Sequence, residues 1–226
     1  MNEQIKTENL LDLSHSKAGK YLQKYEYPYL LIPHIKEMIL EIQKDLGDDF
    51  VQIKEGVFAH KTASIAPTAY VGAPTVICAG AEIRHCAYIR GSALIGENSV
   101  VGNSTEVKNA VIFDNVQVPH FNYVGDSILG YRSHMGAGSV TSNVKSDKTN
   151  VVLKVDGEKI ETGMRKFGAV LGDFVEVGCN STLNPGTIIG RHTNVYPNSC
   201  VRGVIPAEHI YKNKENIVMK IKGENE

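Results

Sequence analysis

Aliphatic residues recur every six positions through the middle of the chain, and this period is the strongest pattern in the sequence. The first unbroken run consists of Ile65, Val71, Ile77, Ile83, Ile89, Ile95, Val101 and Val107. An amphipathic helix has an apolar period of 3.6 residues and does not produce such a run. Six residues fit one short strand and a corner, so three sides would close a triangular coil of about 18 residues.

The six-residue period continues after two intervals of five residues. Its later members are Ile112, Val118, Val124, Leu129, Met135, Leu171, Val177, Leu183, Ile189, Val195 and Val201. Stacked coils pair their backbones and bury the aliphatic residues in a narrow core. The sequence therefore predicts a mainly β protein, with a parallel β-helix of hexapeptide repeats over residues 59–205.

Residues 1–58 and 206–226 do not follow the period. A helix is predicted between Pro33 and Gly47. Its apolar face consists of Ile35, Ile39, Ile42 and Leu46. Because the ends of a β-helix carry unpaired strand edges, we expect residues 1–58 to form a helical cap over one end. Residues 206–226, polar and rich in Lys, are expected to cover the other end or to reach a neighbouring subunit.

The period also lapses within the repeat, over about residues 141–168. Residues 151–155 and 158–162 alternate apolar and polar positions around Asp156-Gly157. An Asp-Gly pair between two such runs is typical of a β-hairpin. We expect a loop excursion from one corner of the coil. It either borders a binding face or is plain decoration.

Composition restricts the function classes. The chain has 24 Lys and Arg against 25 Asp and Glu, a net charge of −1, which argues against a nucleic-acid partner. No apolar run approaches the roughly 20 residues that span a bilayer, and the N-terminus lacks a hydrophobic signal core. The four cysteines form no Cys-x-x-Cys pair. We therefore expect a cytoplasmic protein without a membrane or metal partner.

The repeat converts sequence offsets into spatial neighbours. We call the aliphatic residues of the six-residue period the ladder residues. Arg90 and Lys108 each follow a ladder residue and are 18 positions apart, so they should stack in adjacent coils. Such cations repel unless an anion lies between them, and a phosphate would suit. Two splayed, solvated side chains are the alternative.

A second column contains His120. It lies two positions after Val118, in line with His85, Asn103 and Ala137 once the five-residue interval is counted. An imidazole titrates near neutral pH and suits proton transfer from an amine or hydroxyl, although a lone His is more often structural.

Three runs carry a family resemblance: NSTEVKNA from Asn103, PHFNYVGD from Pro119 and MGAGSVTSN from Met135. Together they resemble the acetyltransferase domain of the bifunctional N-acetylglucosamine-1-phosphate uridylyltransferase/glucosamine-1-phosphate acetyltransferase family, which belongs to the left-handed β-helix acyltransferases. The resemblance implies a left-handed coil, acetyl-CoA as co-substrate and a homotrimer. The Gly-rich nucleotide loop of the uridylyltransferase domain is not found in this sequence.

The same resemblance assigns roles to individual residues. It implies that His120 is the catalytic base. The implied sugar-phosphate ligands are Arg90, Lys108, Tyr123, Asn143 and His134, the last replacing an Asn of the family. The implied acetyl-CoA contacts are Ala137, Cys179 and Pro197.

The predicted function is acetyl transfer to an amino-sugar phosphate similar to glucosamine 1-phosphate. A non-catalytic β-helix that oligomerises or regulates a separate sugar-phosphate nucleotidyltransferase is the main alternative. A zinc carbonic anhydrase on this scaffold needs two His five residues apart, a pair that His85, His120 and His134 do not offer.

Overall fold

The computed structural model describes residues 2–155 and 157–221. Its short strands stack in register as the three walls of a parallel β-helix, which confirms the predicted architecture. Ladder residues from the three walls fill the interior; Ile95, Val107 and Val118, one from each wall, are all fully buried. The hand of the coil remains a prediction.

Each wall is a column of parallel strands. The first wall contains Val57–His60, Thr75–Ile77, Ala93–Ile95, the end of Glu106–Ile112, the end of Tyr123–Leu129, Ala169–Leu171, Thr187–Ile189 and Val204–Ile205. The second contains Tyr70–Val71, Tyr88–Ile89, the starts of the same two long strands, Val140–Thr141, Thr182–Leu183 and Cys200–Val201. The third contains Ser64–Ile65, Glu82–Ile83, Val100–Asn103, Gln117–His120, His134–Met135, Glu176–Val177, Asn194–Val195 and His209–Asn213.

The two five-residue intervals lie in Glu106–Ile112 and Tyr123–Leu129, which pass without interruption from the second wall to the first. One residue in the left-handed region makes each bend: Asn109 with φ of 49° and Asp126 with φ of 50°. Asn and Asp tolerate this conformation better than most residues. The shortened corner therefore stacks an amide directly next to a carboxylate.

The N-terminal segment lies along the outside of the first wall. Its helices are Thr7–Leu10, Gly19–Leu22 and Ile35–Lys44, with 3₁₀ turns at Glu3–Ile5, Leu13–His15 and Pro28–His34. The last and longest helix packs across the strands Thr75–Ile77, Ala93–Ile95 and Glu106–Ile112.

The predicted position of this segment, over an open end, is therefore wrong. The first wall carries a second aliphatic column on its outer face, immediately before the ladder residues. Its members, all fully buried, include Val76, Leu94, Val111, Ile128, Val170 and Ile188. A strand that is apolar on both faces needs cover on both, and the N-terminal helices supply it along the side.

Antiparallel strands cover the wall edges instead. Phe50–Lys54 pairs with Val57–His60 at the start of the first wall, and Asn216–Met219 pairs with His209–Asn213 at the end of the third. The repeat therefore continues beyond residue 205, the predicted boundary of a C-terminal tail. Within the described residues, no helix is long and apolar enough to cross a membrane.

The excursion leaves the second wall after Thr141 and returns to the first wall at Ala169. Val152–Val155 and Glu158–Glu161 pair antiparallel within it; Asp156, in the predicted turn, lies outside the described residues. Its apolar side is buried, and a Cβ placed on Gly186 would lie 2.6 Å from Val151 Cγ1. The excursion thus packs against the coil rather than projecting from it.

Candidate functional site

A buried carboxylate organises the corner between the second and first walls. Asp126 is 3% exposed, and both of its side-chain oxygens lie 2.9 Å from Lys108 Nζ. Asn109 Nδ2 donates to Asp126 Oδ1 at 2.8 Å, and the Asn143 amide donates to Oδ2. A buried charge persists when it is paired and hydrogen-bonded in this way. We call Lys108, Asn109, Asp126 and Asn143 the corner cluster.

The excursion closes around this cluster at both of its ends. Asn143 lies at its beginning, and the Phe167 N–H donates to the Asn143 carbonyl at 3.0 Å. The Gly168 N–H donates to the Asp126 carbonyl at 2.9 Å. The excursion therefore borders the cluster; that this is a binding face remains a prediction.

Asp126 and Asn109 were not among the predicted site residues. The available signal was the pair of five-residue intervals, which place both residues at the same corner of adjacent coils. That signal gives the position of the two residues. It does not give their partners, because the contacts of Lys108 and Asn143 with Asp126 depend on side-chain conformations, which counting residues does not determine.

Arg90 lies in the coil next to Lys108, as the 18-residue offset predicts: the Arg90 N–H donates to the Val107 carbonyl at 2.9 Å. Its guanidinium is 2.9 Å from Glu106 Oε1, and this hydrogen bond raises the pKa of Arg90. The two cations are therefore paired with Glu106 and Asp126 respectively. Their stacking therefore does not by itself require a bound anion, because Glu106 and Asp126 supply both negative charges; a phosphate ligand remains a prediction.

Tyr123 joins the corner cluster from the same strand as Asp126. Asn143 Nδ2 donates to its hydroxyl at 3.2 Å. The ring lies over Gly125, where an added Cβ would be 2.4 Å from the hydroxyl oxygen and 2.7 Å from Cζ. Burial raises the pKa of the Tyr123 phenol, and the charges of Asp126 and Glu106 act in the same direction. The phenol therefore stays neutral, and its proton is available to a ligand.

His120 lies at the opposite corner of the second wall, where the third wall ends. Its side chain is exposed and forms no hydrogen bond or ion pair with the described residues. Asn122 fixes its backbone: this buried amide accepts the His120 N–H at 3.0 Å and donates to the Gly136 carbonyl at 2.8 Å. Asn122 is a third residue that the sequence did not reveal.

The predicted acetyl-CoA residues continue the column of His85, Asn103 and His120 into later coils. The Gly138 N–H donates to the His120 carbonyl at 3.0 Å, so Ala137 follows His120 in the next coil. Asn180 N–H donates to the Ala137 carbonyl and Asn198 N–H to the Cys179 carbonyl, each at 2.8 Å. Ala137, Cys179 and Pro197 thus form one column at this corner. The Ala137 N–H has no acceptor within residues 2–155 and 157–221.

His134 belongs neither to the corner cluster nor to the column of His120. It lies on the outer face of the third wall, where its Nδ1 is 2.8 Å from Glu176 Oε2. Within the described ranges, no three His, Cys, Asp or Glu residues are grouped so as to hold a metal ion.

Comparison with known proteins gives the family. The family described as the GMPPB C-terminal domain matches residues 80–219. The bifunctional protein GlmU of Methanococcus aeolicus is 31% identical over 98% of this chain and 54% of its own length. A bifunctional sugar-1-phosphate nucleotidylyltransferase/acetyltransferase of Sulfurisphaera tokodaii is 36% identical over 72% of this chain and 41% of its own length.

The chain thus spans about half or less of the curated relatives it matches. Among solved structures, the acetyltransferase domain of PglB from Neisseria gonorrhoeae with acetyl coenzyme A aligns with a TM-score of 0.34 and 16% identity. That alignment covers 83% of this chain and 66% of the other. Because the family match extends over more than half of the chain, this protein belongs to the GMPPB C-terminal domain family.

Proposed function

We propose that this chain transfers an acetyl group from acetyl-CoA to the amino group of a sugar phosphate, with glucosamine 1-phosphate as the reference acceptor. One observation carries the proposal: the second wall has an exposed His120 at one corner and a corner cluster of paired charges at the other. The name of the Sulfurisphaera tokodaii relative, a bifunctional sugar-1-phosphate nucleotidylyltransferase/acetyltransferase, supports the same chemistry.

The charges of the second wall suit an acceptor that is itself a zwitterion. Arg90 and Lys108 are balanced by Glu106 and Asp126, so a phosphate with an ammonium adds little net charge. The Arg90–Glu106 pair is the more exposed, at 45% and 33% of the two side chains, and such a pair costs little to open. We assign the phosphate to Arg90 beside Lys108, and sugar hydroxyls to Tyr123 and Asn143. The role of His134 remains a prediction.

The column of Ala137, Cys179 and Pro197 would hold the co-substrate. These side chains are short, so an extended pantetheine arm could lie along the corner with its thioester beside His120. We assign the oxyanion contact to the Ala137 N–H, because a free backbone donor stabilises the tetrahedral intermediate of acyl transfer.

In the proposed step, the acceptor ammonium first loses one proton to water. His120 then accepts a second proton while the neutral nitrogen attacks the thioester carbonyl. A C–N bond forms, the C–S bond then breaks, and the imidazolium returns the proton to the departing CoA thiolate. The products are an N-acetyl sugar phosphate and free CoA. Holding the phosphate at Arg90 and Lys108 orients the amine, which lowers the entropic part of the barrier.

We extend the proposal to a homotrimer, because the exposed His120 and its column need a neighbouring surface to exclude water. We also propose that the protein acts in the cytoplasm. Sedimentation velocity checks the trimer. A monomer that turns over at the full rate would contradict a site between subunits.

The test is release of free CoA thiol from acetyl-CoA and glucosamine 1-phosphate. His120→Ala is expected to lower kcat by about 100-fold or more, the usual contribution of a general base. His85→Ala is the matched control, since His85 is an exposed imidazole of the same column, 2.7 Å from Thr68 Oγ1. Equal rates for wild type and His120→Ala would refute the assignment. No turnover, with tight binding to a separate nucleotidyltransferase, would favour the non-catalytic alternative.

A further inference from the structure

One amide side chain interrupts a column of small residues at the corner between the third and second walls. From Ile65 to Val195, the residue four positions after each third-wall ladder residue is largely buried at this corner. In the coil of His120 this residue is Asn122, which is 3% exposed. A buried amide costs free energy unless its hydrogen bonds are made, so each of its polar atoms needs a partner. The other coils have small side chains there: Ala69, Ala87, Thr105, Ser139, Ser181 and Ser199.

Both polar atoms of the Asn122 side chain have partners, and they lie in two different turns. Oδ1 accepts the His120 N–H at 3.0 Å. Nδ2 donates to the Gly136 carbonyl at 2.8 Å, and it also lies 3.1 and 3.2 Å from the Ser139 carbonyl and hydroxyl oxygens. These contacts fix the orientation of the amide, because the atom that faces an N–H must be the oxygen. One planar group therefore joins the turn that carries His120 to the corresponding turn of the next coil.

The Gly136 carbonyl belongs to the same peptide group as the Ala137 N–H, the proposed oxyanion donor. Three donors converge on this carbonyl: Asn122 Nδ2, the Ser139 hydroxyl at 2.7 Å and the Ser139 N–H at 3.1 Å. A peptide group is planar and conjugated, so hydrogen bonds to its oxygen polarise the whole group and strengthen its N–H as a donor. The Ala137 N–H itself meets no acceptor among the residues that the structure describes. It is therefore both fixed in direction and free to bind a ligand.

The residue between His120 and Asn122 has a strained backbone. Phe121 has a φ of 51°, in the left-handed region that bulky residues rarely adopt, and it is 62% exposed. A strained turn persists only where the surrounding contacts hold it, and the hydrogen bond from the His120 N–H to Asn122 spans this turn. Loss of Asn122 should therefore release the backbone of His120. The equivalent left-handed residues of five other coils are smaller: Cys86, Ser104, Gly138, Asn180 and Asn198.

We propose that Asn122 is a positioning residue for acyl transfer, whose one buried amide holds the base His120 and also orients and polarises the Ala137 N–H. This inference rests on the proposed acetyl transfer. Both groups are then held in place before the substrates arrive, so neither has to reorganise when negative charge develops on the thioester oxygen. Because Asn122 is buried, it touches neither substrate. Its contribution belongs to kcat, whereas binding of the acceptor and of acetyl-CoA depends on other residues.

The experiment measures kcat and the KM of both substrates in the thiol-release assay. Asn122→Ala is expected to lower kcat about 10- to 100-fold, less than the loss of a direct oxyanion donor, and to change each KM by less than about threefold. Asn122→Ser should show the same separation of kcat from KM, because Ser is too short to bridge both turns. It should also keep the fold, since Ser occupies this position at Ser139 and Ser181. Ser139→Ala removes one donor to the Gly136 carbonyl and should lower kcat about threefold.

Ser99→Ala is the matched control. Ser99 is also buried four positions after a ladder residue, and its hydroxyl joins adjacent coils in the same way. It accepts the Val116 N–H at 3.0 Å and donates to the Phe113 carbonyl at 2.7 Å. Because Ser99 lies at another corner, its loss should lower the urea midpoint of unfolding while kcat and both KM values stay at those of wild type.

Four results would overturn the inference or its basis. Wild-type kcat in either folded Asn122 variant would exclude the positioning role, and wild-type kcat in Ser139→Ala would exclude polarisation of the Ala137 N–H. A fall in kcat for Ser99→Ala as large as that for Asn122→Ala would show that any loosening of the coil slows the reaction. No thiol release by the wild-type protein would instead refute the proposed acetyl transfer.

Discussion

The first and second walls are built from the same six-residue units, but their outer faces have opposite chemistry. Ile95 and Val107 fill the same core from the two walls and are equally buried. On the outside, Leu94 of the first wall is fully buried beneath the N-terminal segment, whereas Tyr88 of the second wall is 45% exposed. The inward residues therefore specify the coil, and the outward residues specify what each wall binds.

The largest expected effect on stability comes from placing a charged residue on the outer face of the first wall, where the second wall has exposed polar side chains. Val111→Asp places a carboxylate at a fully buried position of the first wall, beneath the N-terminal helices. Burying an unpaired charge costs at least several kcal/mol, so we expect a loss of about 4 kcal/mol or more in the free energy of unfolding, measured in urea. Tyr88→Asp, at an exposed outer position, should change it by less than about 1 kcal/mol. Equal losses would contradict the distinction between the walls.

The next largest effect separates the two ion pairs of the second wall. Asp126→Ala leaves Lys108 without its buried partner and should cost about 3–5 kcal/mol of unfolding free energy. Glu106→Ala opens the exposed pair with Arg90 and should cost about 1 kcal/mol or less. Adding Lys108→Met to Asp126→Ala should recover part of the loss, because the uncompensated charge is gone. A double variant no more stable than Asp126→Ala would show that hydrogen bonding, not charge, governs the corner.

The smallest predicted effect concerns the orientation of Tyr123. Gly125→Ala puts a methyl group where the phenol lies and should displace the hydroxyl from Asn143. We expect KM for the acceptor to rise about three- to tenfold with little change in kcat, since one hydrogen bond contributes about 1 kcal/mol.

The control for that prediction is Gly47→Ala, whose added Cβ would lie within 4 Å of no atom of the described residues other than its chain neighbours. In a Tyr123→Phe background, Gly125→Ala should have a smaller effect on KM, because the hydroxyl is already absent. Additive effects of the two substitutions on KM would show that Gly125→Ala does not act by displacing the Tyr123 hydroxyl.

The period of six made much of this molecule predictable. It gave the parallel coil, the stacking of Arg90 on Lys108 and the alignment of His120 with Asn103, because each depends only on counting residues along a regular backbone. The aliphatic residue before each first-wall ladder position was also visible in the sequence. Such a residue indicates a wall that is apolar on both faces.

Other features do not follow from a period. The N-terminal segment could be assigned a helix but not a docking position, since contacts such as Asp12 N–H to Asp173 Oδ2 join residues far apart in the chain. The partners of Asp126 depend on where the excursion returns. The hand of the coil depends on backbone preferences that spacing alone does not encode.

The number of residues between successive ladder residues varies, and this variation has a consequence for how the scaffold can be changed. Successive ladder residues are six apart at two corners of every coil from Ala59 to Tyr211. All deviations fall at the corner between the second and first walls: five residues at Asn109 and Asp126, thirty from Thr141 to Leu171, and four from Val201 to Ile205. Insertions and deletions at this corner leave the ladder in register. A protein engineer seeking a new acceptor can therefore exchange loops there while leaving the folding core unaltered.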